Sequence, residues 1–440
     1  MNRLETSARQ LALSILDTPW EKAALTDLLS RALGGGPPDP STLAARLFFH
    51  CGTERCPSFF RLVEVLTSDD EFRQRFSRPN ADKTAIQLQL QPTSMQAVVS
   101  GLVTLPLPLI PTAHDLAMWL GVSDTELEWF SGINRRQDSK PDSRLHHYHY
   151  EWQARTHGHE RLLEKPKQHL KALQRSILRE ILDRVPIHAS AHGFCRGRSC
   201  RSSVMPHLGK DLLLRLDLKE FFPSINRARV QAVFHSLGYP SRVSRTLAGL
   251  CTHRTSAYLA GKRFRKLPWD SRELLNSPHL PQGAPTSPAL ANLCAWHLDA
   301  RLQGLARRLD LHYTRYADDL AFSGTINRRY LARVVQPLIG AIALEEGFRL
   351  NYRKTRLLTA AQRQSFCGIT TNVRPNLARV EYERLRATLF NCVIHGPASQ
   401  NRARRHNFRQ HLQGRVSHVC FLNPGRGEKL QALMQQIRWD

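Results

Sequence analysis

Hydrophobic positions recur every three to four residues from Leu11 to Leu33, which lines one face of a helix. The run ends in a Gly/Pro-rich break, Gly34 to Pro40, that reads as a linker or long turn. Residues 1–140 keep this helical character and are expected to form an extension of their own. Within it, Asp115 to Phe130 (DLAMWLGVSDTELEWF) has the order helix, Gly121 turn, Ser123 cap, second helix. A helix that reads DNA bases needs basic and amide side chains, whereas this second helix carries Asp124, Glu126 and Glu128. The pair is therefore expected to pack and not to read an operator.

From His146 the pattern changes to a long basic stretch and then to short apolar runs between turns, as in an α+β body. Leu212 to Leu218 (LLLRLDL) predicts a buried strand, and Tyr313 to Phe322 (YTRYADDLAF) predicts two short strands joined by an acidic turn. The C-terminal stretch is basic and predicted helical, with Arg402, Arg404, Arg405, Arg409 and Arg415. Apolar spacing resumes at Leu430, Leu433, Met434 and Ile437.

At 440 residues the chain can bury a sizeable core and hold more than one domain. Its 63 Lys+Arg against 37 Asp+Glu give a net charge of +26, which suits a polyanionic partner, with simple solubility as the plainer alternative. A membrane fits less well. The most apolar stretch, Gly101 to Pro111, is broken by Pro106, Pro108 and Pro111 and falls short of the ~20 residues needed to span. With no secretory pattern after Met1, a cytoplasmic protein is expected. The nine cysteines are scattered, as for free thiols in a reducing compartment. Cys51 and Cys56 form a C-x4-C pair beside His50, but no second pair completes a zinc-finger spacing.

Asp318 and Asp319 are adjacent carboxylates that would repel unless a cation neutralised them, although an Asp-rich hairpin turn is a common alternative. Asp217 ends another predicted strand, just before an aromatic turn (Lys219, Glu220, Phe221, Phe222, Pro223). Two acids on a hairpin and one on a neighbouring strand can hold a pair of Mg²⁺ ions about 3.5 to 4 Å apart. Such a pair activates a sugar hydroxyl and stabilises a leaving pyrophosphate.

Tyr316-Ala317-Asp318-Asp319 resembles the YxDD box of reverse transcriptases, and further motifs of that family follow over roughly residues 148–440. The resemblance implies a right-hand polymerase fold, with fingers and palm over 141–375 and a basic helical thumb over 376–440. It implies Asp217, Asp318 and Asp319 as ligands of two Mg²⁺ ions, or Mn²⁺, with Leu218 lending a main-chain oxygen. Phe222 matches the aromatic gate that clashes with a 2′-hydroxyl, a core Phe being the alternative, and so implies dNTP substrates. LPQGAPTSP, Leu280 to Pro288, resembles the loop whose Gln side chain and backbone contact the nucleotide, here Gln282 and Gly283. HERLLEKPK, His159 to Lys167, resembles the strand that offers a cation to the triphosphate, here Arg161, a planar fork suited to phosphate; a solvated charge is the alternative. Asn351 to Thr355 (NYRKT) resembles the motif whose Lys helps protonate pyrophosphate, here Lys354.

His192-Gly193-Phe194, Gly197-Arg198-Ser199 and Phe366-Cys367-Gly368-Ile369 are similar to the retron branch. Its Asn-Ala-x-x-His appears as Ser203 to His207 and its Val-Thr-Gly as Phe366 to Gly368, so only His207 and Gly368 stand as RNA-recognising positions. Membership would imply a cognate noncoding RNA as template and primer, a branched RNA-linked DNA, an RNA–DNA hybrid product, and antiphage defence with an accessory effector protein. Arg402, Arg404, Arg405 and Arg409 would grip the duplex backbone, a solvated helix face being the alternative. The span after Gly368 is expected to hold a thumb without an added maturase, endonuclease or ribonuclease H domain. A group II intron-type enzyme, another defence reverse transcriptase without a branched product, and an RNA-binding scaffold or antitoxin are the rival readings.

Overall fold

In the computed structural model the described residues are 3–18, 20–52, 57, 59–77, 95, 102, 104–132, 145–154 and 160–439. They form two compact units with mixed α and β content, one of Met1–Val185 with Ile225–Ser287 and one of Pro186–Ser224 with Pro288–Asp440.

The first unit opens with helices Arg3–Asp17, Lys22–Leu33, Pro40–Cys51, Phe59–Ser68 and Asp70–Ser77. The apolar spacing from Leu11 to Leu33 is divided between two helices, broken between Asp17 and Lys22, and it sends Leu11, Ile15, Leu25, Leu29 and Leu33 into one core with Leu43, Leu47, Leu62, Phe72 and Phe76. The break after Leu33 is a turn in which Gly34 closes one helix at φ 60°. Asp39 then caps the next by accepting from the Thr42 N–H. Of the C-x4-C pair, Cys56 lies outside the described residues, as does His159.

Helices Ala113–Leu120 and Asp124–Ser131 realise the predicted pair, and Thr112 with Asp115 and Ser123 with Glu126 each close a reciprocal capping box. The pair packs on helix Ser241–Cys251, so closely that a Cβ on Gly249 would stand 2.4 Å from the Ser131 carbonyl oxygen. Strands β1 (Tyr148–Gln153) and β2 (Arg161–Pro166) form an antiparallel hairpin. Its apolar side chains Tyr150, Trp152 and Leu162 pack with Ala260, Phe264 and Leu275.

The second unit is built on an antiparallel sheet that, among the described residues, has five strands. The central strand is β3 (Leu212–Lys219), with β4 (His312–Tyr316), β5 (Asp319–Gly324), β6 (Arg349–Leu350) and β7 (Arg356–Thr359). β5 pairs with one edge of β3 and β4 lies outside β5; β7 and β6 share the other edge of β3. Helices Trp296–Arg308 and Gln336–Glu345 pack against β4 and β6, and β3 is buried along nearly its whole length, which fits its Leu-rich sequence. A short hairpin of β8 (Ser365–Phe366) and β9 (Ile369–Thr370) adds Phe366 and Ile369 to a cluster with Val204, Leu213 and Ala321.

Helices Arg379–His395, Phe408–Leu422 and Pro424–Gln436 share a core of Leu385, Leu389, Leu412, Val416, Val419 and Leu430. The helical expectation fails at Arg402, Arg404 and Arg405, which lie in the connection after the short helix Pro397–Gln400. There the Asn401 side chain bridges to the Arg405 backbone N–H and carbonyl, and Arg404 sits at φ 47°. Among the described residues no helix is long and apolar enough to cross a membrane.

Candidate active site

The β3–β5 register places Asp217 directly opposite Asp319, so their side chains leave the sheet on the same face, and the Leu218 N–H donates to the Asp318 carbonyl at 2.8 Å. On the other edge the Asn351 N–H donates to the Asp217 carbonyl at 2.7 Å. The three acids of the sequence reading are thus on adjoining backbone, with Asp217 buried and Asp318 and Asp319 half-buried.

The β4–β5 turn that carries Asp318 is bent sharply, with Ala317 in the left-handed region at φ 57°. Two features hold it there. Gly193 lies against it so tightly that a Cβ would meet the Ala317 nitrogen at 2.5 Å. Beneath it the fully buried Arg315 guanidinium grips both Asp299 oxygens at 2.8 and 2.6 Å, donates to Asn292 Oδ1 at 3.0 Å and to the Ala317 carbonyl at 3.1 Å. The Tyr313 hydroxyl adds a 2.8 Å bond to Asp299, and Asn292 Nδ2 donates to the Gly193 carbonyl at 2.9 Å, tying both supports into one network.

Burial pushes the Asp319 carboxyl up to about 6, reinforced by the negative charges of Asp318 and Asp217 and opposed by Arg215 and Lys354. The Lys354 ammonium lies 2.6 Å from Asp217 Oδ1. Among the described residues no three His, Cys, Asp or Glu side chains converge as a ready ligand set. Three carboxylates on adjoining backbone, with the Asp319 carboxyl raised by burial and by its negative neighbours, nevertheless fit the chemistry of a hard divalent cation, which takes oxygen ligands.

In the turn after β3, Phe221 is core, lying 5.5 Å from Phe348 and under the Arg315 guanidinium. Phe222 is half-buried, 6.1 Å from the exposed Phe194. The two adjacent aromatics therefore divide into one that packs and one that meets solvent, and the second is the residue picked as the gate.

In the first unit, Arg161 opens β2, and among the described residues its buried Nε has no hydrogen-bond partner. The Gln282 carbonyl accepts from the Glu164 N–H at 2.8 Å. Gly283, at φ 133°, passes so near that a Cβ would stand 2.9 Å from the Glu164 carbonyl oxygen. The loop Gly is thus a steric requirement, and strand and loop are fastened together.

His207, expected at an RNA surface, is buried instead. Nδ1 lies 2.6 Å from Ser323 Oγ and Nε2 2.7 Å from Thr314 Oγ1. The Thr314 hydroxyl gives its proton to the Ser203 carbonyl, so Nε2 must donate and Nδ1 must accept. Burial pushes this ring down to about 3, consistent with a neutral brace under the sheet and not with direct RNA contact. Gly368 is exposed at the tip of the β8–β9 turn, where Cys367 at φ 50° and Gly368 at φ 76° make a turn that favours glycine. Arg402, Arg404, Arg405 and Arg409 are exposed, with Arg409 leaning on the Trp439 ring.

Residues 152–371 match the family described as Reverse transcriptase (RNA-dependent DNA polymerase). The retron Mx65 reverse transcriptase of Myxococcus xanthus is 41% identical over 74% of this chain and 71% of its own length. The chain belongs to the bacterial retron reverse transcriptases. It also shares 32% identity with the Mx162 enzyme of Myxococcus xanthus, over 74% of this chain and 67% of that one, and 33% with the Ec86 enzyme of Escherichia coli, over 63% and 76%. As a retron reverse transcriptase it is an RNA-directed DNA polymerase acting on a template RNA.

The sequence reading of this retron enzyme missed its buried polar supports, Arg315 of β4 with Asp299 and Asn292 on neighbouring helices, and Glu164 and His279 beside the loop. A signal was present in part, since an Arg inside the buried strand candidate that leads into the acidic turn needs a buried partner. Which distant acid supplies it depends on packing.

Proposed function

We propose that this retron enzyme copies a structured noncoding RNA into single-stranded DNA, joined to that RNA through a 2′-5′ branch, and serves antiphage defence with an accessory effector protein. The observation that carries the chemistry is the in-register pair Asp217 and Asp319 with Asp318 on the adjoining turn. In this reading Asp217, Asp318, Asp319 and the Leu218 carbonyl hold two Mg²⁺ ions, with Mn²⁺ able to replace them. Ions held there would supply Lewis-acid activation of the priming hydroxyl and charge stabilisation for the departing pyrophosphate.

The protein's own groups do the rest. Arg161 offers its guanidinium to the triphosphate of the incoming dNTP, Gln282 and the Gly283 backbone orient the nucleotide, and Phe222 excludes a 2′-hydroxyl. Lys354, whose ammonium lies beside Asp217, gives a proton to pyrophosphate in this reading. Residues 141–375 act as fingers and palm and 376–440 as a thumb whose Arg402, Arg404, Arg405 and Arg409 track the hybrid backbone. Residues 1–140 contact RNA or a partner protein. Gly368 stays among the RNA-facing positions; the buried His207 supports the sheet beneath.

The test is expression with the flanking genomic DNA, followed by nucleic acid extraction and treatment with ribonuclease and debranching enzyme, with Asp318→Asn/Asp319→Asn as control. A discrete single-stranded DNA that vanishes in the control and shifts on debranching is the expected result. Acid-dependent but unbranched DNA would refute the branch, and absence of any DNA would favour an RNA-binding scaffold.

A further inference from the structure

Glu164 lies in the middle of the β2 strand and is 1% exposed, an unusual place for a carboxylate. One oxygen accepts from the Thr255 hydroxyl at 2.6 Å and the other faces His279 Nε2 at 2.9 Å. The second ring nitrogen of His279, Nδ1, lies 2.7 Å from the Ser277 carbonyl. The Ser277 carbonyl can only accept, so Nδ1 carries a proton, and facing an ionised Glu164, Nε2 carries the second. The ring is a buried imidazolium paired with a buried carboxylate. Burial alone would push Glu164 up and His279 down, yet each shifts the other way under its partner's influence.

The other groups facing the pair leave it intact. His253 Nε2 is 3.9 Å from Glu164 but is hydrogen-bonded at 2.7 Å to the Tyr150 hydroxyl, which itself accepts from the Ser256 N–H. Burial pushes His253 down to about 3, so it is neutral and adds no charge. His279 and His253 also exchange backbone N–H to carbonyl bonds at 2.9 Å each way, which anchors the start of the loop.

The consequence lies in what the pair joins. Glu164 is three residues along β2 from Arg161, and His279 is three residues before Gln282. Glu164 thus holds the loop twice, through its side chain at His279 and through its backbone at Gln282. We propose that Glu164 and His279 form a positioning pair that sets Arg161 and Gln282 in register for the incoming nucleotide and thereby governs the KM for dNTP more than kcat. This rests on the reading of Arg161 and Gln282 as nucleotide contacts.

The experiment is steady-state primer extension with dCTP as varied substrate, on full-length protein checked for folding by thermal melting. His279→Gln is expected to raise KM by about tenfold or more, since misplacing a binding group by about 1 Å costs up to 10²-fold, while kcat falls much less. Glu164→Gln/His279→Gln, which strands no charge, is expected to return KM to within about threefold of wild type. Arg161→Ala and Gln282→Ala separate the two levels. If they raise KM while folded His279→Gln does not, the positioning inference falls and the nucleotide reading survives; if neither raises KM, the nucleotide reading itself falls. Should His279→Gln fail to fold, Thr255→Val decides: it removes one donor to Glu164, and a folded Thr255→Val with wild-type KM would overturn the proposal.

Discussion

Replacing Arg315 by Lys would keep one positive charge against Asp299 but dismantle the fork. The guanidinium makes four bonds: two to Asp299, one to Asn292 Oδ1 and one to the Ala317 carbonyl. An ammonium on a shorter reach can keep the Asp299 pair but strands Asn292 Oδ1 and the Ala317 carbonyl, each a buried acceptor. At about 1–2 kcal/mol per stranded acceptor the loss of stability is about 2–4 kcal/mol, short of the ~3–5 kcal/mol or more expected from leaving a buried charge wholly unpaired. The effect on chemistry is separate. Ala317 is held at φ 57° partly through that carbonyl, and Asp318 follows it, so relaxing the turn moves a carboxylate proposed to bind metal. A displacement near 1 Å corresponds to a fall in kcat of roughly 10²-fold. Urea unfolding measures the first quantity and primer extension at saturating dNTP the second. An Arg315→Lys protein that is folded, weakened by about 2 kcal/mol and yet polymerises within about threefold of wild type would refute the claim that this network positions the turn.

Phe222→Val should admit ribonucleotides, lowering dNTP over rNTP discrimination by roughly 10- to 100-fold in single-nucleotide incorporation, because the group removed is the half-exposed ring and not the core Phe221. Arg402→Ala/Arg404→Ala/Arg405→Ala should weaken binding to an RNA–DNA hybrid whatever its sequence and reduce the slope of log K against log salt by up to about 3, read by filter binding across a salt series. Stability should fall on mild acidification. His207 and His253 have folded values of about 3 against an ordinary value of 6.5, so below 6.5 the unfolded chain takes up protons that the folded one refuses. Each ring can remove up to about 1.4 kcal/mol per pH unit between 6.5 and 3, whereas above 6.5 neither contributes, and urea midpoints at pH 7.5 and 5 measure the difference.

The parts of the enzyme that were legible in its sequence are those set by local rules. Leu11 to Leu33 announce a helical face, Gly34 and Asp39 a stop and a start, and the Leu run of β3 a strand covered on both sides. The acidic turn between β4 and β5 was legible for the same reason, because strand alternation and a two-acid turn are short-range patterns. The Arg402 to Arg405 run misled, since basic composition is compatible with either a helix or a loop and the left-handed Arg404 and the Asn401 bridge decide for the loop. His207 misled differently: a motif residue reads as facing the ligand, whereas its ring meets two hydroxyls, Thr314 and Ser323, that only the folded sheet brings beneath it.

A pattern joins the residues that were not legible. Arg315 with Asp299, and Glu164 with His279, are buried charge pairs whose members are 16 and 115 residues apart, and each backs a loop that carries proposed site residues. Neither pair is needed to bury apolar area, and such pairs are on average no more stabilising than well-packed hydrocarbon. What they supply is direction: a bidentate fork or an imidazolium between two acceptors is satisfied in one geometry only, while a Leu in the same cavity tolerates several. A turn strained at Ala317 and a loop pressed against Glu164 are places where small displacements would be easy and harmful. The two pairs should accordingly differ from ordinary core positions in how substitution reads out, with hydrophobic replacement of both partners, such as Glu164→Leu/His279→Leu, retaining stability while losing dNTP affinity.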